Sequence, residues 1–244
     1  MTVVLKIGGS LIKEAPKLID RLIEEFGSES FPEGLSANNL LKPANKNQAL
    51  LISSISPVSI LIVPGGGVFA DAVRTVDERY SLSPDAAHWM AILGMEQYAC
   101  YLLDKSKLVS SVSSIENPPQ GVSILFPYKL LKARDPLPHS WDVSSDTIAA
   151  WVAKEKGASL IKITDVDGIF KEGKLIEEMS PRKLIENIIE KTEEDAGSCI
   201  DRELPVFLLK NGMDCLIVNG KYPERVIQAI YGKPVPGTKV KGNI

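Results

Sequence analysis

An excess of basic charge, a long apolar run and closely spaced cysteines are all missing from this 244-residue sequence. The formal net charge of -3 and pI near 5.6 give no electrostatic footprint for nucleic acid, so no nucleic-acid partner is expected. No stretch approaches the roughly 18 consecutive apolar residues that a bilayer-spanning helix needs. The amino terminus runs directly into a strand-like segment, so the reading is a cytoplasmic chain with no export signal and no membrane partner. Cys100, Cys199 and Cys215 form an odd set with no Cys-x-x-Cys spacing, which excludes a zinc knuckle and a disulfide framework and fits a reducing compartment. No protein ligands for a metal are assigned from the sequence, and neither an internal repeat nor a low-complexity tract is present.

What is there is an ordinary globular composition, 44% hydrophobic and 24% charged. The length suits one α/β unit, residues 1–244, with two lobes at 1–150 and 151–244. Val3 to Ile7 is β-branched and apolar enough for a buried strand, ended by Gly8, Gly9 and Ser10. Ala15, Leu18, Ile19, Leu22, Ile23 and Phe26 then follow helical spacing on one face. Gly27 to Ser56 mixes Pro, Asn, Ser and Lys and reads as a loop with one weak helix. Val58 to Val63 is a second strand, and Pro64, Gly65, Gly66 and Gly67 repeat the glycine turn before a helix from Phe69 to Arg79.

Ser83, Pro84 and Asp85 read as N-cap, first-turn proline and dipole-complementing acid of a long helix towards Leu103. Strands are expected at Leu108 to Val112, Val122 to Leu125, Leu160 to Ile163 and Leu216 to Val218. Helices are expected from Asp146 to Lys156, with Gly157 as its left-handed stop, from Ser180 to Ile189 and from Tyr222 to Ile230. Strands alternating with helices predict a mostly parallel sheet covered on both faces, a three-layer αβα sandwich.

A glycine turn at the carboxyl end of a parallel strand lets backbone N–H groups approach a phosphate, and the following helix adds its positive end. Lys6 supplies a full charge beside the first turn. A lone Lys-x-Gly-Gly is as readily a tight turn with a surface lysine, but a second turn at Gly65, Gly66 and Gly67 puts further donors at the same sheet edge. The pattern is neither Walker A, since no Gly-Lys-Ser or Gly-Lys-Thr follows, nor Gly-x-Gly-x-x-Gly.

Six ordered motifs make the chain resemble the amino acid kinase family over nearly its full length. They are Lys6 to Ser10, the turn at Gly65 to Gly67, Asp146 to Ala150, Thr164 to Gly168, Ile217 to Gly220, and Gly237 with Thr238. The resemblance implies the amino acid kinase fold, ATP as phosphoryl donor with Mg2+ bridging its oxygens, a small-molecule acceptor, and a homodimer or higher homo-oligomer. It places the transferring phosphoryl on Lys6, Gly8, Gly9 and Ser10, with Asp146 orienting the lysines. The acceptor falls to Gly65, Gly66 and Gly67 and the nucleotide to Thr164, Asp165, Asp167 and Gly168. For Asp146 a plain helix N-cap is the structural alternative, and Asp165 and Asp167 also suit a turn.

One departure concerns the Gly-Gly-Met segment, which in the family precedes a phosphate-binding lysine. Here that place reads Ala196, Gly197, Ser198, Cys199, Ile200, Asp201. Lys162, Arg202 and Lys210 are then the candidate substitutes, Lys162 foremost; its alternative is a strand residue whose ammonium reaches solvent.

On the acceptor side, Asp71 stands where family members acting on isopentenyl phosphate or fosfomycin carry a histidine. An acid there would repel an anion but pair with an ammonium; its alternative is a first-turn partner of the helix dipole. Trp141 would stack on a flat ring, or simply belong to the core, and Asp142 could also take an amine. The string from Pro138 to Asp146 resembles an archaeal branch of methanofuran biosynthesis, whose acceptor joins a phosphate, a furan ring and an aminomethyl group. Two rivals stand beside it. One is a family member acting on glutamate, acetylglutamate, aspartate or UMP, with Arg74 reading the anion. The other is a nucleotide-binding relative without catalysis.

Overall fold

The structure is a computed structural model that describes residues 1–27, 58–106, 109–190 and 200–243. The weak helix expected between Gly27 and Ser56 and residues 196–199 of the altered Gly-Gly-Met segment lie outside the described residues.

β1 (Thr2–Ile7) ends in a single 3-10 turn, Gly9–Leu11, and is followed by α1 (Ala15–Phe26). β2 (Ser59–Pro64) leads through the second glycine turn into α2 (Gly67–Tyr80), and α3 (Pro84–Lys105) follows. β3 (Ser110–Val112), β4 (Gly121–Leu125), α4 (Pro127–Arg134), α5 (Ser145–Lys156) and β5 (Ser159–Thr164) come next. After them stand the short strands β6 (Phe170–Lys171), β7 (Lys174–Leu175) and β8 (Glu178–Met179). The chain then runs through α6 (Pro181–Glu190), α7 (Glu203–Asn211), β9 (Cys215–Asn219), α8 (Pro223–Ile230) and β10 (Gly237–Val240).

Among the described residues eight strands form one sheet in the order β3-β4-β2-β1-β5-β9-β10-β8, and β6 pairs with β7 as a separate hairpin. All neighbours in the sheet are parallel except β9 and β10, which the short connection carried by α8 turns antiparallel. The four strands on the β3 side come from residues 1–150 and the four on the β8 side from 151–244, and β1 and β5 join them at the centre of the sheet.

Alternation along the central strands decides where the two strand lysines point. Val3, Leu5, Ile7, Ile161 and Ile163 pack with α1 and α8 residues such as Leu18, Leu22 and Val226 on one face. Val4 and Leu160 pack on the other face with Ile148, Trp151 and Val152 of α5. Lys6 and Lys162 continue the second set, so both ammonium groups emerge beneath the start of α5. That is the three-layer arrangement expected from the sequence, with helices on both faces of a mostly parallel sheet.

The caps follow local chemistry. Ser83 caps α3, its Oγ accepting the Ala86 N–H at 3.2 Å, and Gly157 ends α5 in the left-handed region at φ +56°. Ser144, with extended backbone, is the N-cap of α5, and Asp146 stands inside its first turn. The N-cap alternative for Asp146 is therefore set aside.

Candidate active site

The two glycine turns meet back to back at the carboxyl ends of β1 and β2. The Gly65 N–H donates to the Ile7 carbonyl at 2.8 Å and the Gly8 N–H to the Ile163 carbonyl at 3.0 Å, so three strand ends are stitched together where the turns begin. A Cβ on Gly9 would lie 2.1 Å from Cα of Gly67, and Gly67 itself has φ +51°. Only glycine fits this contact.

Beside the turns, Lys6 and Lys162 occupy opposed positions in the β1–β5 register. Lys6 Nζ lies 2.8 Å and Lys162 Nζ 2.5 Å from the same oxygen, Oδ1 of Asp146. The residues are 7%, 3% and 4% exposed, so the charges interact with little solvent screening. Burial pushes the Asp146 carboxyl up, but the ammonium groups of Lys162 and Lys6 outweigh it and hold the acid at about 2. Burial drives the Lys6 ammonium below its ordinary pKa; Asp146 opposes that shift and Lys162 adds to it.

The remaining oxygen of Asp146 accepts the Asp201 N–H at 3.1 Å. The Asp201 carboxylate in turn accepts the N–H and Oγ–H of Ser144, the N–H and Oγ1–H of Thr147, and the Leu204 N–H. It therefore takes up a first-turn N–H of α7 while bracing the first turn of α5 that presents Asp146. Burial and the Asp146 charge raise its pKa, partly offset by those donors. Asp201 carries the positioning of Asp146, a role that sequence reading missed. The one available signal was its place at the end of the segment where the family lysine is absent.

A cavity of about 740 Å3 opens over Lys6 and Gly9. Ser10, Gly66, Gly67, Asp71, Arg74 and Trp141 line it, together with residues of α3. Asp71 is not in the first turn of α2, which removes the first-turn dipole reading. The Trp141 indole N–H donates to Asp77 Oδ2 at 2.7 Å, and the Arg74 guanidinium covers one ring face at 4.3 Å from the centroid. Asp77 had no signal in the sequence. Asp142 does not line this cavity; its carboxylate faces Arg202 at 3.9 Å and its carbonyl accepts the Glu203 N–H.

Among the three substitute cations, Lys162 is the one gathered with Lys6 and Asp146, and its buried ammonium excludes the solvent-facing alternative. Arg202 and Lys210 are exposed on α7 and at its start. Thr164 ends β5 opposite Asn219 of β9. The Asp165 carboxyl, pushed up by burial, ends below its usual range because the Ser10 hydroxyl and its own backbone N–H donate to it and Lys221 lies near. Asp167 accepts from Asn219 Nδ2 and Arg225 Nη1, both at 2.8 Å. Gly168, at φ +145°, approaches Thr238 so closely that a Cβ would lie 2.5 Å from its hydroxyl. The loop after β5 is thus tied to β9, α8 and β10, with Ser10 and Asp165 linking it to the first glycine turn.

A family model described as the amino acid kinase family matches residues 121–219. The chain is 31% identical, over 98% of its own length and 97% of the relative's, to a [5-(aminomethyl)furan-3-yl]methyl phosphate kinase of Methanocaldococcus jannaschii. This chain belongs to the amino acid kinase family. Its fold is shared with the uridylate kinase of Archaeoglobus fulgidus, at a TM-score of 0.62 and 17% identity over 98% of this chain and 100% of that one. The aspartate kinase of Synechocystis superposes with a TM-score of 0.58 and 12% identity over 99% of this chain and 40% of that one. As an amino acid kinase family member the protein is a kinase, and the paired glycine turns with the Lys6–Asp146–Lys162 cluster are its candidate phosphoryl-transfer centre. Among the described residues no helix is long and apolar enough to cross a membrane.

Proposed function

We propose that this kinase moves the γ-phosphoryl of ATP onto the phosphate of a small acceptor that also bears a flat ring and an amine, of the (5-(aminomethyl)furan-3-yl)methyl phosphate type, in methanofuran biosynthesis. A bond forms between Pγ and an acceptor phosphate oxygen, the bond from Pγ to the β-phosphate oxygen breaks, and ADP leaves. The observation that carries the reading is the pair of buried ammonium groups on one carboxylate oxygen beside two fused glycine turns. Such a centre is preset to receive negative charge, and positioning with electrostatic stabilisation is what phosphoryl transfer requires.

Lys6 and the N–H groups of Gly8, Gly9 and Ser10 would hold the transferring group, with Asp146 fixing Lys6 and Lys162. Asp146 has both oxygens engaged and is a poor metal ligand, so Mg2+ would arrive on the nucleotide's own oxygens and add to charge neutralisation there. Thr164, Asp165, Asp167 and Gly168 would shape the nucleotide side of residues 151–244, while Gly65, Gly66 and Gly67 and the cavity in residues 1–150 receive the acceptor. Asp71 would pair with the amine. Trp141 would meet the ring with the face that Arg74 leaves uncovered. The full-length likeness to the [5-(aminomethyl)furan-3-yl]methyl phosphate kinase supports this acceptor class.

One observation favours a second reading: Arg74, fixed on Trp141 within the cavity, could read a carboxylate or a nucleotide phosphate. ADP release from ATP should be measured with an aminomethylfuran phosphate, glutamate, acetylglutamate, aspartate and UMP. Turnover with the furan phosphate, and a KM that rises in Asp71→Asn only for amine-bearing acceptors, is the expected result. Turnover with an amino acid or UMP alone would overturn the acceptor, and no turnover with any of them would overturn the reading.

A further inference from the structure

The 244 residues include just two histidines, and they stand together. His88 on α3 and His139, in the segment before α5, stack with ring centroids 4.0 Å apart and planes 18° from parallel. Both line the cavity that opens over Lys6 and Gly9. Ligand atoms of His88, His139 and Asp135, the residue that ends α4, all lie within 4.8 Å of one another.

The hydrogen bonds of His139 show what the cluster is built to hold. Its Nδ1 lies 2.6 Å from Asp85 Oδ1 and its Nε2 2.8 Å from Asp135 Oδ1. Carboxylates accept, so keeping both contacts requires both ring nitrogens to donate, which is the imidazolium form. Hydrogen bonds to Asp85 and Asp135 raise its pKa accordingly. His88 behaves oppositely: burial, with His139 beside it, drives its pKa down to about 4, which leaves a neutral ring and a free lone pair at neutral pH. A neutral imidazole, a carboxylate and a protonated imidazole thus converge, with the proton standing where a larger cation could.

We propose that His88, His139 and Asp135 form a binding site for a zinc-class divalent cation at the wall of that cavity, the ion replacing the Nε2 proton of His139. Two imidazoles and one carboxylate are a ligand set for such ions, with ligand bonds of about 2.0–2.2 Å and a fourth position left open. Asp85 would keep the Nδ1–H and so fix the ring, the outer partner that metal-bound histidines commonly have. The rings, now stacked, would have to rotate out of that near-parallel arrangement for their lone pairs to converge. Trp89, edge-on to both at 4.8 and 5.2 Å, frames that turn. Lys132, held over the Trp89 ring at 4.0 Å, is the opposing charge, outnumbered by Asp85 and Asp135. The ion would tie α3, the end of α4 and the segment entering α5 into one wall, and its open position would face the cavity. None of this depends on which acceptor the kinase uses.

The test is titration of tag-free, chelator-treated full-length protein with Zn2+, and with Co2+ for its visible d–d bands. One equivalent should bind per chain with release of one proton, and the 15N resonances of both imidazoles should shift. His88→Ala and His139→Gln should each weaken zinc by at least roughly tenfold, and Asp85→Asn by roughly tenfold, with circular dichroism confirming the fold. Unshifted imidazole resonances in the unaltered protein, or stoichiometric zinc retained by the His88→Ala/His139→Gln double variant, would overturn the site. Zinc bound in this way to a protein without kinase turnover would leave the site standing and sink only the proposed function.

Discussion

Lys6 and Lys162 face each other across the β1–β5 register and converge on a single oxygen, Oδ1 of Asp146. Neither position is interchangeable with its neighbours, because a shift of one residue along either strand would send the ammonium to the opposite face of the sheet.

Lys6→Ala should leave a folded protein, since Asp146 keeps Lys162 and the Asp201 amide. ADP release should fall about 10²–10³-fold, the scale of losing one preorganised donor to developing charge. Normal turnover in this variant would remove Lys6 from the reaction.

Asp146→Asn withdraws the countercharge from two buried ammonium groups. The expected cost is about 3–5 kcal/mol of unfolding free energy, read from urea denaturation at neutral pH. It should exceed that of Asp142→Asn, whose carboxylate is exposed and 3.9 Å from Arg202.

Acid should expose the same group. The Asp146 pKa is about 2 in the folded protein against 3.8 ordinarily, so between these values the unfolded chain binds more protons. The stability this carboxylate contributes is then complete above about pH 4 and lost as pH falls towards 2, roughly 2 kcal/mol in all. Urea midpoints measured down this pH range should fall more steeply for the unaltered protein than for Asp146→Asn.

How much of this could be read from the sequence differs from element to element. β1, β2 and α5 were legible because an apolar run, a glycine turn and the Gly157 stop agree with one another. β10 was not: Thr238 and Lys239 interrupt its apolar pattern, and Thr238 is buried because its hydroxyl bonds Ile176 and Ile169 across the fold. α7 was hidden by Pro205, which reads as a breaker but sits in the first turn, where its missing N–H costs nothing. The face of Lys6 followed from strand alternation. The bracing of Asp146 by Asp201 did not, since it spans 55 positions.

Gly9→Ala and Gly67→Ala should differ in severity. At Gly9 the new Cβ meets backbone, 2.1 Å from Cα of Gly67, whereas at Gly67 the nearest atom is 3.2 Å away and the φ of +51° is the main obstacle. About 1–2 kcal/mol is expected for Gly67→Ala and more for Gly9→Ala, with kinase activity falling in the same order. Thermal melts and ADP release on both variants check this.

Trp141→Phe keeps an aromatic face for Arg74 but loses the indole N–H to Asp77. A loss of about 1 kcal/mol should appear as a roughly fivefold higher KM for the acceptor with kcat little changed. An equal fall in kcat would mean that Trp141 acts on the transition state.

The contact between Gly9 and Gly67 also sets a limit on redesign. It is made by main chain against main chain, so no choice of side chain can lengthen or shorten the gap between the two turns. With the acceptor placed as proposed, a version of this enzyme meant for a longer or bulkier one would be sought in the residues of α2, α3 and the Trp141 segment, with the glycines left as the fixed gauge of the machine.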